Sequence, residues 1–378
     1  MTTIRTVETA TATIPLDAPT SFSNRTVVDR SYTLVRVTGD DGVAGIGFCY
    51  CGNQAGDLGA MAVEELLGHV LIGQDAHATE RLWTQMYQEA LLHGRAGTVM
   101  RALSALDVAL WDRNARAAGL PLHKYLGAVR DTVPAYASGG YYREHKTPAD
   151  LAEEMRAHVK AGFTAVKMKI GRLDPAEDAE RLAAVRDAVG PDVLVMLDLN
   201  NAWSDVPEAL RALRHWEAYD PYWIEEPFSP DDITNHARLA ERTDVLVATG
   251  EIEAGRWRFK ELLDREAAII LQTDAAVCGG ISEFRRIAAT ADSSGITLAP
   301  HWFHDLHAPL VGATPNARWV EHFGDSQVLN FRDLVDTQLE FRDGELILHD
   351  APGLGFDFAA DVVARHAPGG WRTVGGAA

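Results

Sequence analysis

The chain has 378 residues, of which 47% are hydrophobic and 24% charged, a formal net charge of −19 and three cysteines. That is more length than one small domain needs and enough apolar mass for a large core. The charge disfavours nucleic acid and anionic membranes, which both select basic surfaces, but it does not exclude a small anionic substrate, because charges inside a site can oppose the global field.

The N-terminal stretch MTTIRTVETATATIPL has no basic segment followed by an apolar one, so it does not read as a secretory signal. No apolar run reaches the length of a membrane span. TIRTVETATATI and SYTLVRVTGDDGVAGIGFCY alternate apolar and polar residues, with TGDDG as a hairpin turn. Helical periodicity follows over about 57–69, 78–92 and 98–118. Residues 1–130 therefore predict an α+β domain. Cys49, Cys51 and Cys278 are too few for a disulfide framework, and Cys49-x-Cys51 lacks zinc-finger spacing. They read as reduced thiols in a cytoplasmic protein.

Over 131–324 the texture changes. Short β-branched runs alternate with patterned helices such as PADLAEEMRAHVKAG. The spacing predicts strands at 133–138, 165–170, 193–198, 222–226, 245–251, 268–274, 297–301 and 318–322. Strands that alternate with helices make parallel sheet, and eight in succession make a barrel. Residues 325–378 return to strand-and-turn texture, as in LEFRDGELILHDAPGLGF, and are expected to pack back on the N-terminal domain.

The last polar residues of the putative strands are Lys169, Asp198, Glu225, Glu251, Asp274, His301 and Glu321, each about one βα unit from the next. In a closed barrel all C-terminal strand ends open at one mouth, where barrel active sites sit. A single acid there is ordinarily a solvated loop residue. Three from consecutive strands, Asp198, Glu225 and Glu251, cannot all stay ionised without a cation. An all-oxygen ligand set selects a hard ion, usually Mg²⁺. The pleat sends the neighbouring Glu226 the other way, to support a nearby group or to pair with a lysine. Lys167 and Lys169 share one face of their strand, and proximity to each other and to a metal should lower their pKa values, making a base. A Schiff-base lysine is the rival, but imine chemistry needs no metal. His301 sits one strand after Asp274, which would fix its tautomer. Glu321 in an anionic pocket is expected to stay protonated and to donate a hydrogen bond.

KMKIG, MLDLNNAW, WIEEP, TGE, QTDAAVCGG, APHWFH and WVEH, in this order and spacing, resemble the enolase superfamily, and most closely its mandelate racemase subgroup. The resemblance implies a modified TIM barrel, (β/α)₇β, under an N-terminal α+β cap completed by the C-terminal segment. It implies Mg²⁺ on Asp198, Glu225 and Glu251. It implies Lys169 as one acid/base, Lys167 modulating it and touching the substrate carboxylate, the His301–Asp274 dyad as the second acid/base, and Glu321 hydrogen-bonding the enediolate. The shared chemistry is abstraction of the proton α to a carboxylate. A small hydroxy-carboxylate substrate and a homo-oligomeric assembly are expected.

The cap loops at 19–27 and 49–56 should select the substrate, together with Tyr141, Tyr142 and Arg143 after the first barrel strand. Ser21, Asn24, Arg25, Asn53 and Gln54 offer hydrogen bonds and little apolar wall, which suits a polyhydroxy acid. ATGEIEAGRWRF also resembles the corresponding stretch of acid-sugar dehydratases. The expectation is a dehydratase of an aldonate or aldarate yielding a 2-keto-3-deoxy acid. The rivals are a racemase, epimerase or cycloisomerase using the same intermediate, and a non-catalytic protein that kept the fold.

Overall fold

The computed structural model describes residues 2–324 and 328–375. Residues 325–327 and 376–378, at the start and end of the expected C-terminal segment, lie outside the described residues.

Three long antiparallel strands open the chain: β1 (Ile4–Phe22), β2 (Arg25–Gly39) and β3 (Ala44–Tyr50). The turn between β2 and β3 uses Gly42 at φ +78°, which favours glycine. Helical turns cover 56–70, followed by α2 (Thr79–Ala90) and α3 (Thr98–Ala117). α3 lies tightly on β3: a Cβ at Gly47 would meet the Ala105 carbonyl at 1.9 Å, so only glycine permits this approach.

After α4 (Leu122–Leu126) comes the barrel. Its strands are β4 (Thr132–Gly139), β5 (Ala165–Lys169), β6 (Leu194–Asp198), β7 (Pro221–Glu225), β8 (Leu246–Thr249), β9 (Ile270–Leu271), β10 (Thr297–Leu298) and β11 (Val320–His322). They pair in parallel in chain order, and β11 pairs with β4. A parallel bridge from Leu298 to Ala317 closes the remaining gap. Helices α5 (Pro148–Lys160), α6 (Pro175–Val189), α7 (Val206–Trp216), α8 (Ile233–Ala240), α9 (Arg256–Asp264), α10 (Gly280–Ser293) and α11 (His304–Gly312) fill the connections, giving a (β/α)₇β order. The sequence starts several of these helices with side-chain caps. Thr147 and Asp174 form capping boxes with Asp150 and Glu177, each with proline in the first turn.

The barrel interior is layered. Tyr136, Ala165, Met196, Trp223, Ala248, Ile270, Ala299 and Trp319, one from each strand or its flank, form a buried apolar plug. Two residues further along β5, β6, β7 and β11 the inward positions become Lys167, Asp198, Glu225 and Glu321, all buried. The period of two thus turns an apolar floor into a charged mouth within one strand step.

The C-terminal segment serves both units. The hairpin β12 (Glu340–Arg342) and β13 (Glu345–Ile347) pairs antiparallel with β4. Helix α12 (Ala360–His366) precedes β14 (Arg372–Thr373), which joins the cap sheet beside β1.

Candidate active site

Register brings the carboxylates together. Lys169 pairs with Asp198 across β5/β6, and Asp198 with Glu225 across β6/β7, so the three stand in one row. Glu251 follows the end of β8. One ligand atom from each of Asp198, Glu225 and Glu251 lies within 4.8 Å of the others, and all three residues are buried. One Glu251 carboxylate oxygen, Oε2, is buried without a hydrogen-bond partner. Three converging carboxylates with an unmet acceptor fit a hard divalent cation held by oxygen ligands.

The lysines answer part of this charge. Lys167 Nζ lies 2.5 Å from Glu225, 2.7 Å from Glu321 and 3.3 Å from Asp198. Lys169 Nζ pairs with Asp198. Burial pushes both ammonium groups down, but the carboxylates outweigh it, and both net pKa values lie above the usual lysine range. The expected fall is tied to a neighbouring metal cation; the carboxylates by themselves set the opposite direction. Asp198 is the counterpart. Burial pushes it up, and Lys169 and Lys167 hold it well below the usual carboxylate range. Burial and Asp198 push Glu225 far up, against Lys167. Tyr136 lies beneath Lys167, with the ammonium 5.6 Å from its ring centroid.

Glu321 departs from expectation. Its carboxylate accepts from Lys167 and, at 2.7 Å, from the Trp302 backbone N–H. Burial raises its pKa, but Lys167, His301 and Lys169 bring it down to about 2, so it is an ionised acceptor and not a protonated donor. Glu226 also departs. β7 ends at Glu225, and Glu226 takes φ +44°, which breaks the pleat and turns it toward the mouth. Burial, Glu251 and Asp198 push its pKa well up, and Oε1 has no hydrogen-bond partner.

On the facing wall His301 Nδ1 lies 3.0 Å from Asp274, and Nε2 lies 3.4 Å from Glu251. Asp274 also accepts from the Ala276 N–H at 2.7 Å. Burial raises its pKa, and bonds from His301 and His307 hold it far below the usual range. Burial lowers the His301 pKa, and Glu251 and Asp274 reverse this to a net rise.

These groups border one cavity of about 630 Å³ between barrel and cap. Lys169, Glu226, Glu251, Asp274, His301 and Glu321 line it. Lys167 lies beneath this lining, against its carboxylate neighbours. Of the expected substrate contacts, Arg25, Asn53 and Tyr141 line the cavity, whereas Ser21, Asn24 and Tyr142 do not. These three hold cap to barrel. Ser21 and Tyr142 exchange backbone hydrogen bonds of 3.0 and 2.9 Å. The Asn24 amide donates to the Asn200 carbonyl at 3.0 Å. The Tyr142 hydroxyl donates to Asp178 at 2.7 Å. Sequence reasoning missed Arg30, Arg101 and Trp302, which do line the cavity. Arg30 carried a signal: it stands in phase with Tyr32 and Leu34, on a buried row of β2. Arg101 opens an amphipathic helix and carried none.

Two family profiles match the chain: "Mandelate racemase / muconate lactonizing enzyme, N-terminal domain" over residues 3–127, and "Enolase C-terminal domain-like" over 150–362. An L-talarate/galactarate dehydratase of Salmonella typhimurium strain LT2 is 36% identical over 358 residues, 93% of this chain and 87% of that protein. Among solved structures, a racemase from Streptomyces coelicolor A3(2) with bound magnesium superposes with a TM-score of 0.91 at 31% identity, covering 96% of this chain and 99% of that one. An L-talarate dehydratase from Polaromonas sp. JS666 complexed with Mg and L-glucarate gives 0.88 at 32% identity, with both chains fully covered. With both profiles matched in chain order on a capped barrel whose mouth gathers three carboxylates, the chain belongs to the enolase superfamily, in its mandelate racemase / muconate lactonizing enzyme group.

Proposed function

We propose that the protein is a Mg²⁺-dependent dehydratase of an acid sugar. It removes the proton α to a carboxylate and eliminates the β-hydroxyl to leave a 2-keto-3-deoxy acid. The observation that carries this reading is one cavity lined by both a lysine and a histidine–aspartate pair beside a three-carboxylate cluster. Likeness to sugar-acid dehydratases supports it. In this reading residues 1–130 and 325–378 cap a catalytic barrel of residues 131–324.

Asp198, Glu225 and Glu251 would hold the ion, which supplies positive charge for the substrate carboxylate as the α-proton leaves. Asp198 pairs with Lys169 and orients it, and Lys169 Nζ, on the cavity wall, takes the α-proton. His301, oriented by Asp274, delivers a proton to the departing β-hydroxyl, which leaves as water. The enol that remains ketonises. Lys167 offsets part of the charge on Glu225 and Glu321. Tyr141, whose ring centroid lies 5.1 Å from the Lys169 ammonium, limits that group's motion.

Among the described residues no helix is long and apolar enough to cross a membrane. In our reading the protein works in the cytoplasm on a small molecule, away from nucleic acid and membranes. A homo-oligomeric assembly is part of this reading.

The test is incubation with a panel of aldonic and aldaric acids and Mg²⁺, followed by semicarbazide detection of keto acids. At least one acid should give product, lost with EDTA and restored by Mg²⁺. Interconversion of epimers without a keto product would overturn dehydration. It would favour the second reading, a racemase or epimerase, which the likeness to the Streptomyces racemase structure supports.

A further inference from the structure

The mouth cavity is segregated by charge. Its barrel side presents Glu226, Glu251, Asp274 and Glu321, whereas its cap side presents Arg25, Arg30 and Arg101 and no acid. In a chain of net charge −19, a surface arginine readily meets a carboxylate. Among the described residues, none of these three arginines has an ion-pair partner. The contacts they do make are neutral. Arg30 Nη1 donates to the Tyr50 hydroxyl at 3.2 Å, and Arg101 Nη1 donates to the Tyr50 carbonyl at 2.9 Å.

Arg30 is the least expected of the three. It is 2% exposed, and its Nε has no hydrogen-bond partner. Its guanidinium lies 4.4 Å from the Trp302 ring centroid and 5.4 Å from that of Tyr50. The two rings themselves stack at 5.7 Å. Aromatic faces hold a guanidinium in place without neutralising it. A buried cation without a counter-ion is costly. A hydroxyl in the cavity would leave that charge unanswered, whereas an anion would answer it. The Trp302 ring in turn stacks on His301 at 5.6 Å, so Arg30 stands one aromatic layer from the proton-transfer group. The carboxylate whose α-proton is removed belongs at the barrel end, beside the metal ligands. An anionic group facing the arginines must therefore be a second one.

Resting on the acid-sugar reading above, we propose that the substrate is a diacid, an aldarate. Its carboxylate remote from the reacting carbon is gripped by Arg30 and Arg101, with Arg25 at the more exposed rim. A guanidinium fork matches a carboxylate bidentately, and a site built for such a group rejects analogues that lack it.

The test uses the full chain with Mg²⁺ and pairs of acids of the same configuration. The members of each pair differ only in ending in a carboxylate or a CH₂OH group. The wild-type protein should prefer the diacid by about 10²-fold or more in kcat/KM. Arg101→Met should lower kcat/KM for the diacid at least ~10-fold while changing the monoacid less than ~3-fold. Arg30→Met should act in the same direction, and Arg30→Lys, which keeps the charge without the fork, should fall between. If Arg30→Met does not fold, the half-buried Arg101 still decides the matter. Equal turnover of diacid and monoacid by the wild-type protein, or equal losses on both in Arg101→Met, would overturn this assignment and leave the dehydratase reading standing. Turnover of neither class would remove both.

Discussion

The barrel mouth and the cap build one cavity by opposite means. On the barrel side each cation has a carboxylate partner: Lys169 has Asp198, Lys167 has Glu225 and Glu321, and His301 has Asp274, while Glu226 and Glu251 each keep an unpartnered oxygen. On the cap side Arg25, Arg30 and Arg101 come from β2 and α3, and no carboxylate balances them. A wall whose cations are each paired with a carboxylate is organised for proton movement, because each proton has a defined holder. A wall whose charges are unpaired is organised for a ligand. Breaking the first should cost turnover, and breaking the second should cost selectivity.

The largest effect is expected at the proton-transfer groups. Lys169→Met and His301→Asn should each reduce kcat by ~10²–10⁴-fold, read from initial rates at saturating substrate. They differ in what survives. His301→Asn should retain α-proton exchange with deuterated solvent, because Lys169 still faces the α-carbon, whereas Lys169→Met should lose it. Exchange by neither variant with full turnover by both would remove these residues from the mechanism.

Asp274→Asn should cost less, ~10–100-fold in kcat, because it disorients His301 without removing it. The sign of the pH effect is defined. Glu251 and Asp274 both raise the His301 pKa, so neutralising Asp274 removes part of that rise, and the pH limb assigned to His301 should move to lower pH. A simple loss of folding would lower activity without moving the limb.

Particular residues explain how much of this was legible. Lys169, Asp198 and Glu225 are predictable because parallel strands of similar length place their last inward residues in one row. Glu226 is not, because a positive φ at the strand end overrides alternation. The carboxylate partners of the lysines are not legible, because Lys167 and Lys169 are neighbours in sequence, while the opposite charges beside them come from β6, β7 and β11. Glu321 was misjudged for the same reason. Ser21, Asn24 and Tyr142 look like ligand contacts because they are polar and read as loop residues in the sequence, although Ser21 lies in β1. Only the docking of cap on barrel shows that they are already engaged.

The seam between the two walls makes a third prediction. Asp107 on α3 is fully buried and accepts from the Ser282 N–H at 2.8 Å and its hydroxyl at 2.7 Å on α10. Burial raises its pKa to about 7, against the pull of the Ser282 bonds and Arg286. Between about pH 4 and 7 the folded protein therefore holds a proton that the unfolded chain releases. This group's contribution falls as pH rises, by up to about 1.4 kcal/mol per unit, and levels above about pH 7. Asp107→Asn should flatten that slope in denaturant titrations compared at pH 5 and pH 7. An unchanged difference between the two pH values would show that Asp107 is ionised in the folded protein.

The smallest effect is expected at the cap rim, and it sharpens the comparison most. Arg25 lines the cavity but is solvent-exposed, so any contact it makes with a ligand is screened by water. Arg25→Ala should lower kcat/KM by less than ~10-fold and leave Mg²⁺ affinity unchanged, because only binding energy remote from the reacting carbon is lost. Asn24→Ala, its chain neighbour, loses an amide bonded to the Asn200 carbonyl, next to the β6 end that carries Asp198. That change should loosen the seam and affect every substrate alike. If Arg25→Ala behaved like Asn24→Ala, with uniform losses across substrates, the rim would be part of the seam. If it lowered Mg²⁺ affinity, the separation of paired barrel cations from unpaired cap cations would fail.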